Sequence, residues 1–176
     1  MIIFLLGYMG SGKSKTGAAL ARKLGFDFLD TDQIIELNSG RSISEIFSTE
    51  GEDFFRKEEA KVVRTLEGKK NLVVATGGGM PCFSGNMSWM NEHGYTVYLK
   101  VPVGMLIQRL QQSVGNRPIL KNLSGSDLKE QIEAQLLERE SFYSQAKLIF
   151  DAGSLDLNLL IEKIKKGSHE FTNKIR

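Results

Sequence analysis

The chain has 176 residues and a formal net charge of +2. That length suits one domain with a sizeable core, and the near-balance of charge gives no argument for nucleic acid or an anionic membrane as partner. The only cysteine, Cys82, excludes an internal disulfide, and no Cys/His cluster suggests zinc; the absent disulfide framework fits a reducing, cytoplasmic setting.

The apolar run MIIFLL opens the chain. It carries no basic leader and is far too short to span a bilayer, so it is expected as a buried strand, Ile2–Leu6. Gly7-Tyr8-Met9-Gly10-Ser11-Gly12-Lys13-Ser14 follows and matches G-x-x-x-x-G-K-[ST], with a strand before and a helix after. The glycines let the backbone curl so that successive N–H groups, including those of Gly10, Ser11 and Gly12, surround a β-phosphate. The helix that follows aims its positive end at the same group. Lys13 is expected to span β- and γ-phosphates, and the Ser14 hydroxyl to coordinate Mg²⁺. Residues 13–24 read as the first helix, with Ala18, Ala19, Leu20 and Leu24 as its apolar face.

A second strand, Phe26–Asp30, ends in Asp30-Thr31-Asp32. At the carboxyl end of a parallel strand, both carboxylates face the phosphate-loop side. One suits Mg²⁺ through water and the other the proton of an acceptor hydroxyl. One of the two also suits the cap of a helix beginning near Asp32. Ser42 with Glu45 forms a capping box at ISEIF, Gly51 breaks the chain, and EDFFRKEEAKVVRTLE resumes a helix. Within it Glu59 lies three residues after Arg56, on the same face, placed to hold its guanidinium. A third strand, Leu72–Ala75, runs into Thr76-Gly77-Gly78-Gly79, where bare backbone suits close approach to a small ligand.

Thr96–Lys100 reads as a fourth strand, and VGMLIQRL as a helix carrying Arg109 near its end. Residues 112–126, QSVGNRPILKNLSGS, lack periodicity and read as a long loop of the kind that forms lids; they contain Arg117. Residues 127–143 return to helix and contain Arg139. Leu148–Asp151 is the fifth strand, and GSHEFTNKIR after Lys166 reads as a polar, frayed tail. Trp89, Cys82, His93 and His169 read as packing or surface residues. The alternation of strands and helices points to βα units around a parallel sheet.

The phosphate loop alone serves kinases, hydrolases and switches. A guanine-reading N-K-x-D is absent, and Asp151-Ala152-Gly153 lies too late and at the wrong spacing for a switch. A small kinase is favoured. Arginines at 56, 117 and 139 beside carboxylates and bare glycines point to a small polyhydroxylated carboxylic acid as acceptor, because planar guanidinium forks match carboxylates.

Several motifs in order then resemble the shikimate kinase family over most of the chain, from Ile2 to Asp151. They are the phosphate loop, Asp30-Thr31-Asp32, Gly51-Glu52 … Phe55-Arg56 … Glu59, Thr76-Gly77-Gly78-Gly79, Arg117-Pro118 and Arg139. The resemblance implies an α/β three-layer sandwich of the P-loop kinase type. Its five-stranded parallel sheet has the order 2-3-1-4-5, flanked by helices, with a mobile lid at residues 112–126. It implies a single domain over 1–166, a substrate-binding helical segment over 31–60 and a disordered tail over 167–176. The implied reaction is ATP-dependent phosphorylation of the shikimate 3-hydroxyl, within aromatic amino acid biosynthesis.

Carried over residue by residue, Lys13, Lys15 and the loop amides hold ATP, with Mg²⁺ on Ser14 and, through water, Asp30. Asp32 binds the acceptor hydroxyls and is the candidate base or orienting group. Arg56 and Arg139 grip the carboxylate, and Gly77, Gly78 and Gly79 approach the ring. Arg117 stabilises the transferring phosphoryl group, and Arg109 stacks on adenine. The family's proline after the last strand is missing from Phe150-Asp151-Ala152-Gly153-Ser154-Leu155. The implied partners are ATP and shikimate, with no nucleic acid or membrane, and a monomer is expected. Gluconate kinase is the alternative, as another small kinase acting on an anionic polyol.

Overall fold

The computed structural model describes residues 1–112 and 125–174. Five parallel strands form one sheet in the order β2-β3-β1-β4-β5, as the resemblance implied. They are β1 (Ile2–Leu6), β2 (Asp27–Asp30), β3 (Leu72–Ala75), β4 (Tyr95–Lys100) and β5 (Leu148–Asp151). Three match their expected limits; β2 starts one residue later and β4 one earlier.

Every residue of β1 is buried. A central parallel strand is covered on both faces, which explains a continuous apolar run in place of alternation. Ile3 and Leu5 enter one core with Leu20, Val73, Val97, Leu99, Leu106 and Leu160. Ile2, Phe4 and Leu6 enter the other with Val63, Val74, Met80, Met90 and Tyr143. Burying each such side chain contributes about 1.5–3 kcal/mol, so the sheet centre is the most firmly held part of the scaffold.

Helices α1 (Lys13–Leu24), α6 (Val103–Gln112) and α8 (Leu157–Lys174) cover the first face. Helices α4 (Glu52–Arg64) and α5 (Asn86–His93) cover the second, with the end of α7 (Gly125–Tyr143). A smaller core of Ile35, Ile46, Phe55 and Val62 joins α2 (Thr31–Ser39), α3 (Ile43–Thr49) and α4. The expected Ser42–Glu45 capping box opens α3, and Gly51, at φ 81, precedes α4. His93 stacks on Trp89 at 4.0 Å, a packing role as expected.

Three expectations change. The buried face of α1 is Thr16, Gly17, Leu20 and Ala21, while Ala18 is exposed. Gly17 makes the difference: a Cβ there would meet Phe28 Cε2 at 2.5 Å, so the helix lies close to β2. Helix α7 begins at Gly125, two residues early. Helix α8 runs to Lys174 across the segment expected to fray, because polar composition without proline does not stop a helix. Arg117 and the central part of the expected lid, 113–124, lie outside the described residues.

Candidate active site

Leu5, Ala75 and Asp30 lie in one row across β1, β3 and β2. The chain segments leaving these three strands therefore meet at one rim of the sheet, where parallel α/β folds bind ligands. They are the phosphate loop, Thr76–Gly79 and Thr31–Asp32.

In the phosphate loop, Gly7 and Gly12 have φ 142 and φ 91, values that disfavour any side chain. A Cβ at Gly7 would also meet Leu99 O at 2.9 Å. Lys13 is buried, with its ammonium donating to Gly7 O at 2.8 Å and Tyr8 O at 3.0 Å. The cation is thus held within the curl it is expected to share with phosphate. Ser11 is also buried, and its hydroxyl has no hydrogen-bond partner among the described residues. An orphan hydroxyl within a phosphate-loop motif fits an anion as its partner. Arg109 donates to Gly10 O at 3.3 Å, so it belongs to the loop's wall and is not merely a surface residue. Lys15 is exposed at the start of α1.

Asp30 performs two tasks at once. Its Oδ1 accepts from Asp32 N at 3.1 Å, capping α2, and its Oδ2 accepts from Ser14 Oγ at 2.5 Å. Capping of α2 therefore falls to Asp30 and not to Asp32. The Ser14 hydroxyl and Asp30 carboxylate are hard oxygen donors, a set that suits Mg²⁺ together with phosphate oxygens and water.

The triple glycine brings Asp32, Glu59, Arg56 and Arg139 around one turn. A Cβ at Gly77 would lie 2.6 Å from both Asp32 Oδ1 and Glu59 Oε1. One at Gly79 would lie 2.6 Å from Arg56 Nη1, and one at Gly78 would lie 3.6 Å from Arg139 Nη1. Gly77 and Gly79 thus make room for ionic side chains, while Gly78 lies at ordinary contact distance from Arg139. The bare backbone read as suiting close approach to a small ligand also admits these side chains. Gly78 also touches the donor side, its Cβ position being 3.5 Å from Met9 N and 3.6 Å from Gly7 O. One turn therefore separates the phosphate loop from the acceptor groups.

The ionic groups fix one another. Arg56 donates to Glu59 Oε2 at 2.7 Å, as the helical spacing suggests, and to Glu52 Oε1 from both Nε and Nη2. Phe83 covers the guanidinium, with Cζ 4.3 Å from its ring centre. Burial works against the Arg56 charge, but Glu59 and then Glu52 outweigh it, and its pKa is raised. Burial drives the Glu59 carboxyl up, Arg56 restrains it and Asp32 pushes it further; it reaches about 7. Its Oε1 has no hydrogen-bond partner among the described residues. Burial likewise lifts the Cys82 thiol to about 11, so it is a neutral wall of the same site.

Tyr143 and Phe83 escape a reading of motifs. Tyr143 donates to Gly78 O at 2.5 Å and tethers the turn to α7, while the Tyr8 ring lies 5.4 Å from Arg139 Cζ. Where the family's proline is missing, Asp151 Oδ1 accepts from Gly153 N at 2.9 Å and shapes the loop instead.

Comparison with known proteins gives the family. The family model described as shikimate kinase matches residues 9–167. A shikimate kinase from Azobacteroides pseudotrichonymphae is 42% identical over 163 residues, covering 92% of this chain and 96% of that one. The crystal structure of shikimate kinase from Bacteroides thetaiotaomicron superposes with TM-score 0.85 at 39% identity, covering 98% of both chains. That of the Acinetobacter baumannii enzyme in complex with shikimate gives TM-score 0.83 at 34% identity, covering 99% of this chain and 95% of that one. A family model that spans most of the chain and a relative 42% identical over 92% of it show that the chain belongs to the shikimate kinase family.

Proposed function

We propose that the chain transfers the γ-phosphoryl group of ATP to the 3-hydroxyl of shikimate, giving shikimate 3-phosphate and ADP. The observation that carries this is the Thr76–Gly79 turn, with Arg56, Arg139 and Asp32 on its acceptor side and the phosphate loop against Gly78. Two separated guanidinium groups match a carboxylate, and Asp32 matches neighbouring hydroxyls.

The amides of Gly10, Ser11 and Gly12 and the Lys13 ammonium hold the phosphates, with Lys15 beside them and Arg109 on the adenine. Ser14, and Asp30 through water, would hold Mg²⁺, which would supply positive charge against the phosphate oxygens. Arg56 and Arg139 grip the acceptor carboxylate, while Gly77, Gly78 and Gly79 let the ring approach. Asp32 orients the 3-hydroxyl and accepts its proton as the oxygen attacks in line. Arg117 supplies positive charge to the transferring group. Catalysis is mostly positioning and electrostatics.

The protein acts as a monomer in the cytoplasm within aromatic amino acid biosynthesis. Among the described residues, no helix is long and apolar enough to cross a membrane. Coupled measurement of ADP release with Mg-ATP, comparing shikimate with gluconate, tests the assignment. Turnover with shikimate and none with gluconate is expected. Turnover with gluconate alone would transfer the assignment to that kinase, and turnover with neither would refute it.

A further inference from the structure

Arg56 presents its N–H donors in a flat fork with two bidentate edges, Nη1 with Nη2 and Nε with Nη2. Gly79 packs against the guanidinium, since a Cβ there would be 2.6 Å from Nη1, 2.7 Å from Nη2 and 2.8 Å from Cζ. Glu59, almost fully buried, holds Nη1 from the side. Phe83 covers a face. The second edge is bridged by one oxygen, Glu52 Oε1, at 3.0 Å from Nε and 2.7 Å from Nη2. The side chain of Glu52 is 53% exposed against 12% for Arg56, so this edge is the one reached from solvent.

We propose that Glu52 stands in for the acceptor's carboxylate: it occupies the Nε–Nη2 edge of Arg56 until an anionic acceptor displaces it, and thereby sets the affinity for that acceptor. This rests on the reading that Arg56 binds the acceptor carboxylate. The exchange is downhill because an exposed pair at the start of a helix contributes little, whereas a bidentate pair inside a closed site contributes more. Glu59 is not exchanged, because its burial leaves it no solvent to turn to. An uncharged polyol has nothing to replace Glu52 with, so the same contact selects for a carboxylated acceptor.

Titration calorimetry without nucleotide tests this, using shikimate and its methyl ester as probes. The proteins are the wild type, Glu52→Gln and Arg56→Ala. Glu52→Gln removes the charge at an exposed position and keeps the side-chain length. Its Kd for shikimate should fall about twofold to fivefold, the range of an exposed ion pair. Its Kd for the ester should stay at the wild-type value. Arg56→Ala should weaken shikimate binding. If Arg56→Ala leaves shikimate binding unchanged, the carboxylate-grip reading itself fails. If Arg56→Ala weakens binding but Glu52→Gln weakens it, leaves it unchanged or tightens acid and ester alike, Glu52 only props Arg56 and the proposal is overturned.

Discussion

Replacing Gly79 with alanine should separate acceptor binding from folding. Gly79 has φ −86 and ψ −18, a backbone that alanine adopts freely. Restricting the unfolded chain there favours folding by about 0.4–1 kcal/mol. The added methyl, however, would lie 2.6 Å from Arg56 Nη1, 2.7 Å from Nη2 and 2.8 Å from Cζ, closer than real Cβ contacts come. The guanidinium is the far end of a long side chain, but Glu52, Glu59 and Phe83 hold it on three sides. It must give up at least one of these contacts, and with it the geometry proposed to bind the carboxylate. A charge-assisted hydrogen bond contributes about 1.5–3 kcal/mol, so the shikimate KM should rise roughly 10- to 150-fold. The KM for ATP should not change, since Lys13 and its carbonyl partners lie beyond Gly78. Steady-state kinetics in each substrate, with urea unfolding of the same protein, reads both effects. Gly40→Ala is the opposite control: at φ 65 with open space around it, it should cost about 1–2 kcal/mol of stability and leave both KM values alone. A stable Gly79→Ala protein with the wild-type shikimate KM would refute the steric reasoning.

Lys13→Ala should lower kcat by about 10²–10³-fold, the loss typical of one preorganised charge donor, while circular dichroism shows the fold intact. Arg139→Lys should raise the shikimate KM about tenfold, because an ammonium cannot reproduce a bidentate fork; an unchanged value removes Arg139 from the carboxylate site. Burial pushes the Glu59 carboxyl up to about 7 in the folded chain, against 4.5 for a free glutamate, so the folded state holds its proton more tightly. Its stabilising contribution is complete below pH 4.5 and is lost as pH rises through 7, a swing of about 3 kcal/mol. Wild-type stability relative to Glu59→Gln, measured by urea unfolding, should therefore fall between pH 4.5 and 7.5, and a flat difference would contradict this.

The donor half of the site was readable because it is local. The loop, its strand and its helix are adjacent in the chain, and Lys13 and Ser14 follow the last glycine. The Arg56–Glu59 pair was readable for the same reason, at helical spacing. Glu52 obeys the same rule at i, i+4 and could have been found with it. Tyr143 could not be found so, since its partner Gly78 lies 65 residues away. The crowding of Asp32 and Glu59 at Gly77 likewise arises only when β2, β3 and α4 meet. The limits of β1, β3 and β4 were legible to within a residue because these strands bury continuous runs, whereas β2 and β5 at the sheet edges are only partly buried. The face of α1 was misjudged because Gly17, which has no side chain to signal burial, is where the helix comes closest to β2.

Product identity tests the central claim most directly. The chain is incubated with Mg-ATP and shikimate, and the phosphorylated product is analysed by phosphorus–proton correlation NMR. A single phosphomonoester coupled to the proton on C3 is expected, appearing in step with ADP. A phosphoryl group on another hydroxyl would contradict the placement of Asp32 at the 3-hydroxyl, and ADP formed without any phosphorylated shikimate would contradict the transfer itself.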